Sequence, residues 1–155
     1  VYHMNPMQQA INLAIRAKSH DDVPIGAVIV CDGRIIARGE NQVQLKRNPT
    51  LHAEIVAINR ACKKLGTKFL DNCDIYVSLE PCAMCATAIS LARIRRVYFA
   101  ACDAKGGGIM SGARVYDTDR HLWKPDVTQM PEFVDASAQM LRDFFAMRRN
   151  KQGDK

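Results

Sequence analysis

The chain has 155 residues, 48% apolar and 25% charged, enough for one domain with a single substantial core and too little for two. Its longest apolar run, residues 25–31, is far shorter than the roughly 20 residues that span a bilayer, and no basic start leads into a long apolar stretch, so a soluble cytoplasmic protein is expected. Twenty-two Lys and Arg against sixteen Asp and Glu leave a formal charge of +6, which favours polyanionic partners without choosing among them.

Six cysteines, at 31, 62, 73, 82, 85 and 102, do not suit a disulfide framework, which belongs to short secreted chains without a core. Residues 4–150 are expected to form one domain, with residues 1–3 read as either an expression remnant or an upstream start, and 151–155 as a C-terminal tail.

Asn5-Pro6 ahead of Met7, Ala10, Ile11, Ala14 and Ile15 reads as an N-cap, a first-turn proline and an apolar stripe at helical spacing, ending near Lys18. Residues 25–30 and 34–38 are β-branched runs on either side of Asp32-Gly33, a dipeptide that supplies the positive φ of a tight hairpin turn. A polar loop at 40–48 leads to a second helix, expected from Pro49-Thr50 to Leu65 with Ile55, Ile58, Cys62 and Leu65 on its buried face and Gly66 as its stop.

Residues 74–79 read as a strand, Pro81 opens a helix through Ala83, Ala86, Ile89 and Ala92, and 96–100 is another strand. Strand, helix and strand in so few residues imply a parallel crossover. A hairpin joined to crossovers predicts an α/β protein with a mixed central sheet of about five strands and helices on both faces. The glycine-rich stretch 106–112 reads as a flexible loop, 117–131 is ambiguous, and 135–149 reads as a helix with Met140, Leu141, Phe144 and Met147 on one side.

The chemistry concentrates in His52-Ala53-Glu54 and, about thirty residues later, Pro81-Cys82-Ala83-Met84-Cys85. One imidazole and two thiolates are three zinc ligands, which leave the fourth tetrahedral position open for water, as catalytic sites do. A helix N-terminus favours anionic sulfur at Cys82 and Cys85. Glu54, two residues from a ligand, is placed to carry protons without binding metal itself. A structural zinc site would need a fourth protein ligand from Cys31, Cys62, Cys73 or Cys102; Cys31 and Cys62 read better as small core residues.

The pattern H-x-E followed by P-C-x-x-C is the signature of the zinc nucleobase deaminases. Together with residues 24–28, 48–54, Glu80-Pro81-Cys82-Ala83-Met84-Cys85, Asp103-Ala104-Lys105 and Asp143-Phe144-Phe145-Ala146-Met147-Arg148-Arg149, the chain resembles the bacterial tRNA-specific adenosine deaminases over nearly its whole length. That resemblance implies a three-layer α/β/α cytidine-deaminase-like fold and one zinc per subunit on His52, Cys82 and Cys85, with Glu54 as general acid and base. It implies hydrolytic conversion of the wobble adenosine of a tRNA anticodon, with an arginine tRNA the expected substrate, to inosine by a homodimer.

It further implies that Asn41 hydrogen-bonds the flipped base and that Asp103, in the Asp-Ala-Lys segment with Lys105, tells ribose from deoxyribose beside the target. Phe144, Arg148 and Arg149 would lie against the anticodon loop. Cys102 stands where many of that family carry Arg, and Gly107 where they often carry Thr. Either Arg114, Lys151 or Lys155 makes good a phosphate contact there, or the contact is weaker.

Spacing alone reads some of these residues differently. Asn41 is a turn residue after a strand, Asp103 a loop-start cap, and Arg148 and Arg149 complements to a helix dipole. Phe144 and Phe145 are adjacent and cannot both face the core, so the exposed one is the candidate for stacking on a base. His20, His121 and Trp123 have no partner legible in sequence. The rival functions are deamination of a free base or nucleotide, such as guanine or cytosine, and a noncatalytic zinc-containing tRNA-binding subunit.

Overall fold

A computed structural model describes residues 5–118 and 122–153. Residues 1–3, His121 and Lys155, for which the sequence raised expectations, lie outside these.

Asn5 caps the first helix, α1 (Pro6–Ser19), by accepting a hydrogen bond from the Met7 amide on Oδ1 at 2.9 Å. Asp32 (φ 52°) and Gly33 (φ 75°) form the two-residue turn between β1 (Gly26–Cys31) and β2 (Arg34–Glu40). A short helix, α2 (Val43–Lys46), interrupts the expected polar loop. It was illegible locally because its start is capped from far away: Asp22 accepts the amides of Gln44 (2.8 Å) and Leu45 (3.2 Å).

The second long helix, α3 (Ala53–Leu65), begins three residues later than expected from Thr50, because His52 keeps an extended backbone as its N-cap. Its buried face also differs. Ala53, Val56, Ala57 and Ala61 face inward, while Ile55, Ile58 and Cys62 are only partly buried and Leu65 is exposed. Close approach explains the shift, since a Cβ at Gly39 of β2 would run into the backbone of Ala53 and Ala57, so small residues let helix and sheet meet.

Strand β3 (Cys73–Leu79), helix α4 (Ala83–Leu91) and strand β4 (Arg96–Ala101) form the expected parallel crossover. The ambiguous segment supplies a fifth strand, β5 (Asp126–Gln129), parallel to β4. The last helix, α5 (Val134–Gly153), runs four residues past Arg149.

The five strands lie in the order β2-β1-β3-β4-β5, antiparallel on the hairpin side and parallel on the other. Because side chains alternate across a strand, Ala27, Ile29, Ile75, Val77 and Val97 join α3 and α4 in the larger core. Tyr76, Tyr98 and Ala100 face the other way, where they pack with Met7, Ala10 and Ile11 of α1 and Met140 of α5. Helices on both faces of a mixed five-stranded sheet make three α/β/α layers, as expected.

Candidate active site

Two helix starts meet at the carboxyl end of β3. His52 is the N-cap of α3, Cys82 the N-cap of α4, and Cys85 lies in the first turn of α4. His52 Nδ1 is 3.6 Å from Cys82 Sγ and 3.6 Å from Cys85 Sγ. The three ligand atoms all lie within 4.8 Å of one another.

Tetrahedral bonds of about 2.0–2.1 Å to nitrogen and 2.3 Å to sulfur set an N···S edge of about 3.5–3.6 Å, which both His52–cysteine distances match. Among the described residues no fourth His, Cys, Asp or Glu joins the cluster. Cys31 and Cys73 face each other across β1 and β3, Cys62 packs on the core and Cys102 is exposed. The site is therefore open, the form that catalytic zinc takes.

Without metal the donors share their protons unequally. Hydrogen bonds from Cys85 and then His52 outweigh desolvation and bring the Cys82 thiol down to about 4, a thiolate ready to bind metal. The same Cys82–Cys85 bond, with burial, pushes Cys85 up, and its bond to Cys82 raises His52.

Glu54, in the first turn of α3, is 3% exposed. Burial is the main reason its carboxyl is pushed above the usual range. Its Oε1 is buried without a hydrogen-bond partner among the described residues. An unsatisfied buried carboxylate oxygen is costly, and beside three metal donors it has the placement of a proton carrier.

A cleft of about 340 Å³ opens beside His52, lined by Ile25, Asn41, Pro49, Asp103, Phe145 and Arg148 among others. Asn41 Oδ1 accepts the Ala53 amide at 2.7 Å, which caps α3 and turns the side-chain NH₂ into a donor for whatever occupies the cleft. Asp103 is the loop-start cap that its spacing suggests. Its Oδ1 accepts the amides of Lys105 (3.3 Å) and Gly106 (3.0 Å), and the residue also lines the cleft.

The resemblance put Phe144 against the anticodon loop, but of the aromatic pair it is the other ring that reaches the cleft. Phe144 is 5% exposed and packs under the Arg148 guanidinium, whereas Phe145, 44% exposed, lines the cleft. Arg148 lines it too and donates to the Asp21 carbonyl at 2.6 Å. Lys105 and Arg149 are exposed and do not line it.

His20 finds partners that the sequence did not show, Asp22 at 3.0 Å and Glu40 at 3.7 Å. Trp123 donates to the Ile94 carbonyl at 3.0 Å, a packing role. Lys151 lies with Lys18 and Arg148 along a neighbouring groove, while Arg114 donates to the Met110 carbonyl.

Residues 2–101 match the sequence profile of the cytidine and deoxycytidylate deaminase zinc-binding region. The chain belongs to this deaminase family. Zinc is accordingly the metal that both the donor set and the family specify.

Within the deaminases, the chain is 47% identical to a tRNA-specific adenosine deaminase of Agrobacterium fabrum, over 92% of this chain and 93% of that one. A structure solved in studies of A-to-I editing by tRNA:A34 deaminases superposes with a TM-score of 0.85 at 46% identity, covering 88% of this chain and 98% of that one. A guanine deaminase of Nitrosomonas europaea superposes at 0.76 with 25% identity, covering 91% of this chain and 83% of that one.

Proposed function

We propose that this chain hydrolyses the wobble adenosine of a tRNA anticodon to inosine and ammonia, with an arginine tRNA as substrate. The observation that carries the reading is the unpartnered Glu54 Oε1 beside an open His52-Cys82-Cys85 site, at a cleft rimmed by an exposed aromatic and a cation. The 47% identity to a tRNA-specific adenosine deaminase supports the choice of substrate.

Zinc on His52, Cys82 and Cys85 would lower the pKa of water from 15.7 to about 7. Glu54 Oε1 would take one proton from the attacking water and deliver it to N1, then take the second from the new hydroxyl on C6 and pass it to the amino group, whose bond to C6 breaks as the C6 carbonyl forms and ammonia leaves. Asn41 donates to the base, Phe145 stacks on it or its neighbour, and Asp103 meets the adjoining ribose 2′-hydroxyl. An unpaired loop base suits this site because it costs little to extrude. Lys105, Arg148 and Arg149, with the overall charge of +6, supply phosphate affinity.

The working unit is a cytoplasmic homodimer. Helix α4 buries Cys85, Ala86 and Ile89 yet leaves Leu91 69% and Met84 37% exposed, with Met110 also exposed nearby in sequence to the site loop. An apolar outer face of this kind is suited to a second subunit. Leu91→Glu is expected to leave a folded monomer in sedimentation equilibrium. A mutant still dimeric at micromolar concentration would place the interface elsewhere.

Ammonia release decides between this reading and its rivals. Zinc-loaded protein is offered an arginine tRNA transcript with a wobble adenosine, free guanine and free cytosine, with Glu54→Ala alongside. Release from the RNA alone, lost in the variant, is expected. Release from a free base instead would assign a small-molecule deaminase, and RNA retention without release from any substrate would indicate a binding subunit.

A further inference from the structure

Glu80 is a buried carboxylate that the deamination chemistry leaves unused. It follows β3 directly, beside Pro81, and is 2% exposed. Its Oε1 accepts the Asp103 amide at 3.1 Å, and its Oε2 accepts those of Ile109 (3.1 Å), Met110 (3.0 Å) and Ser111 (2.9 Å). Burial opposes the charge, but the amides of Ser111, Ile109 and Asp103 outweigh it and hold the carboxyl below the usual range. Four donors on one ionised group form a strong, geometrically specific clasp.

Gly107 makes room for that clasp. A Cβ there would stand 2.5 Å from Glu80 Oε2 and 2.6 Å from the Asp103 carbonyl oxygen. The Gly107 amide also donates to that carbonyl at 2.9 Å. The segment expected to be a flexible glycine loop is thus folded onto a charge, with Gly107, Gly108 and Ile109 buried.

We propose that Glu80, seated against Gly107, is the positioning residue that sets where Asp103 stands at the rim of the cleft and so how the substrate strand is held. The proposal rests on the reading in which Asp103 meets the nucleotide beside the target. Glu80 joins the catalytic floor to this rim directly, because it lies two residues before the zinc donor Cys82.

Two measurements test it. Glu80→Gln keeps the size but offers one acceptor oxygen where two are used. In hydrogen exchange of the zinc-loaded full chain, the amides of Asp103, Ile109, Met110 and Ser111 are expected to exchange at least about tenfold faster, with zinc content and α4 protection unchanged. Gly107→Ala, which keeps the carboxylate and crowds it, is expected to do the same, and it carries this arm should Glu80→Gln fail to fold. Unchanged exchange would overturn the proposal.

The second arm is a double-mutant cycle on the tRNA transcript. Glu80→Gln is expected to lower kcat/KM about tenfold in the native chain but less than about twofold in an Asp103→Ala background. Equal losses in both backgrounds would mean a merely structural role and overturn it. A native protein that releases no ammonia from tRNA, yet shows the expected exchange, would sink the tRNA reading alone. The exchange arm would then decide alone whether Glu80 sets the position of Asp103.

Discussion

The metal-donor floor of the site and the rim of the cleft beside it are built in different ways. The floor, His52, Glu54, Cys82 and Cys85, of which His52 reaches the cleft, sits at the starts of two helices, so each residue is placed by local spacing. The rim, Asn41, Asp103, Phe145 and Arg148, comes from loops and from α5, elements placed by partners far away in the chain. Asp22 holds the amides of α2 from 22 and 23 residues away, and Glu80 holds the Asp103 amide from 23. Reaction type is therefore written in short-range pattern, whereas substrate choice depends on long-range anchorage.

The floor should fail all at once. Glu54→Gln is expected to lower kcat about 10³-fold with zinc still bound, since a positioned proton carrier contributes roughly 10²–10⁴. Kinetics beside metal analysis checks this, and retained turnover would place the proton carrier elsewhere. Cys85→Ala removes a fully buried donor. It is expected to lose zinc and lower Tm by about 5 °C or more, because metal bound only to the folded state stabilises it. A matching fall in native protein treated with a chelator would tie the loss to the ion.

This division explains what could be read in advance. His52, Cys82, Cys85 and Glu54 stand out because ligand type and spacing are a joint constraint on one metal. The strand–helix–strand unit stands out because its period changes within a few residues. The start of α3 was misplaced because nothing in Thr50-Leu51-His52 shows that His52 stays extended. Its buried face was misread because alanines against Gly39 form the seam, not the larger isoleucines.

The clasp on Glu80 and the cap from Asp22 leave no local signal, since a lone acidic residue reads the same whether it meets water or four amides. One faint clue was available for Glu80. A carboxylate immediately before Pro81-Cys82 lies where its burial can be anticipated once zinc is assigned.

The rim should fail by degrees. Phe145→Ala is expected to lower kcat/KM for RNA about tenfold, since base stacking contributes roughly 1–3 kcal/mol, with stability nearly unchanged. Phe144→Ala is expected to do the reverse, destabilising the fold by about 3 kcal/mol with the folded fraction still active. An outcome with the two exchanged would contradict the division of this pair between core and cleft. The smallest effect belongs to charge. Arg148→Ala with Arg149→Ala should weaken RNA binding several-fold and reduce the slope of log K against log salt by about 1–2.

The most direct test of the account is to incubate zinc-loaded protein with an arginine tRNA transcript bearing adenosine at the wobble position and to sequence the product for inosine, beside a zinc-containing Glu54→Ala control. The account predicts inosine at that position alone and none in the control. Unmodified adenosine from a folded, zinc-containing enzyme, or inosine that persists in the control, would contradict it.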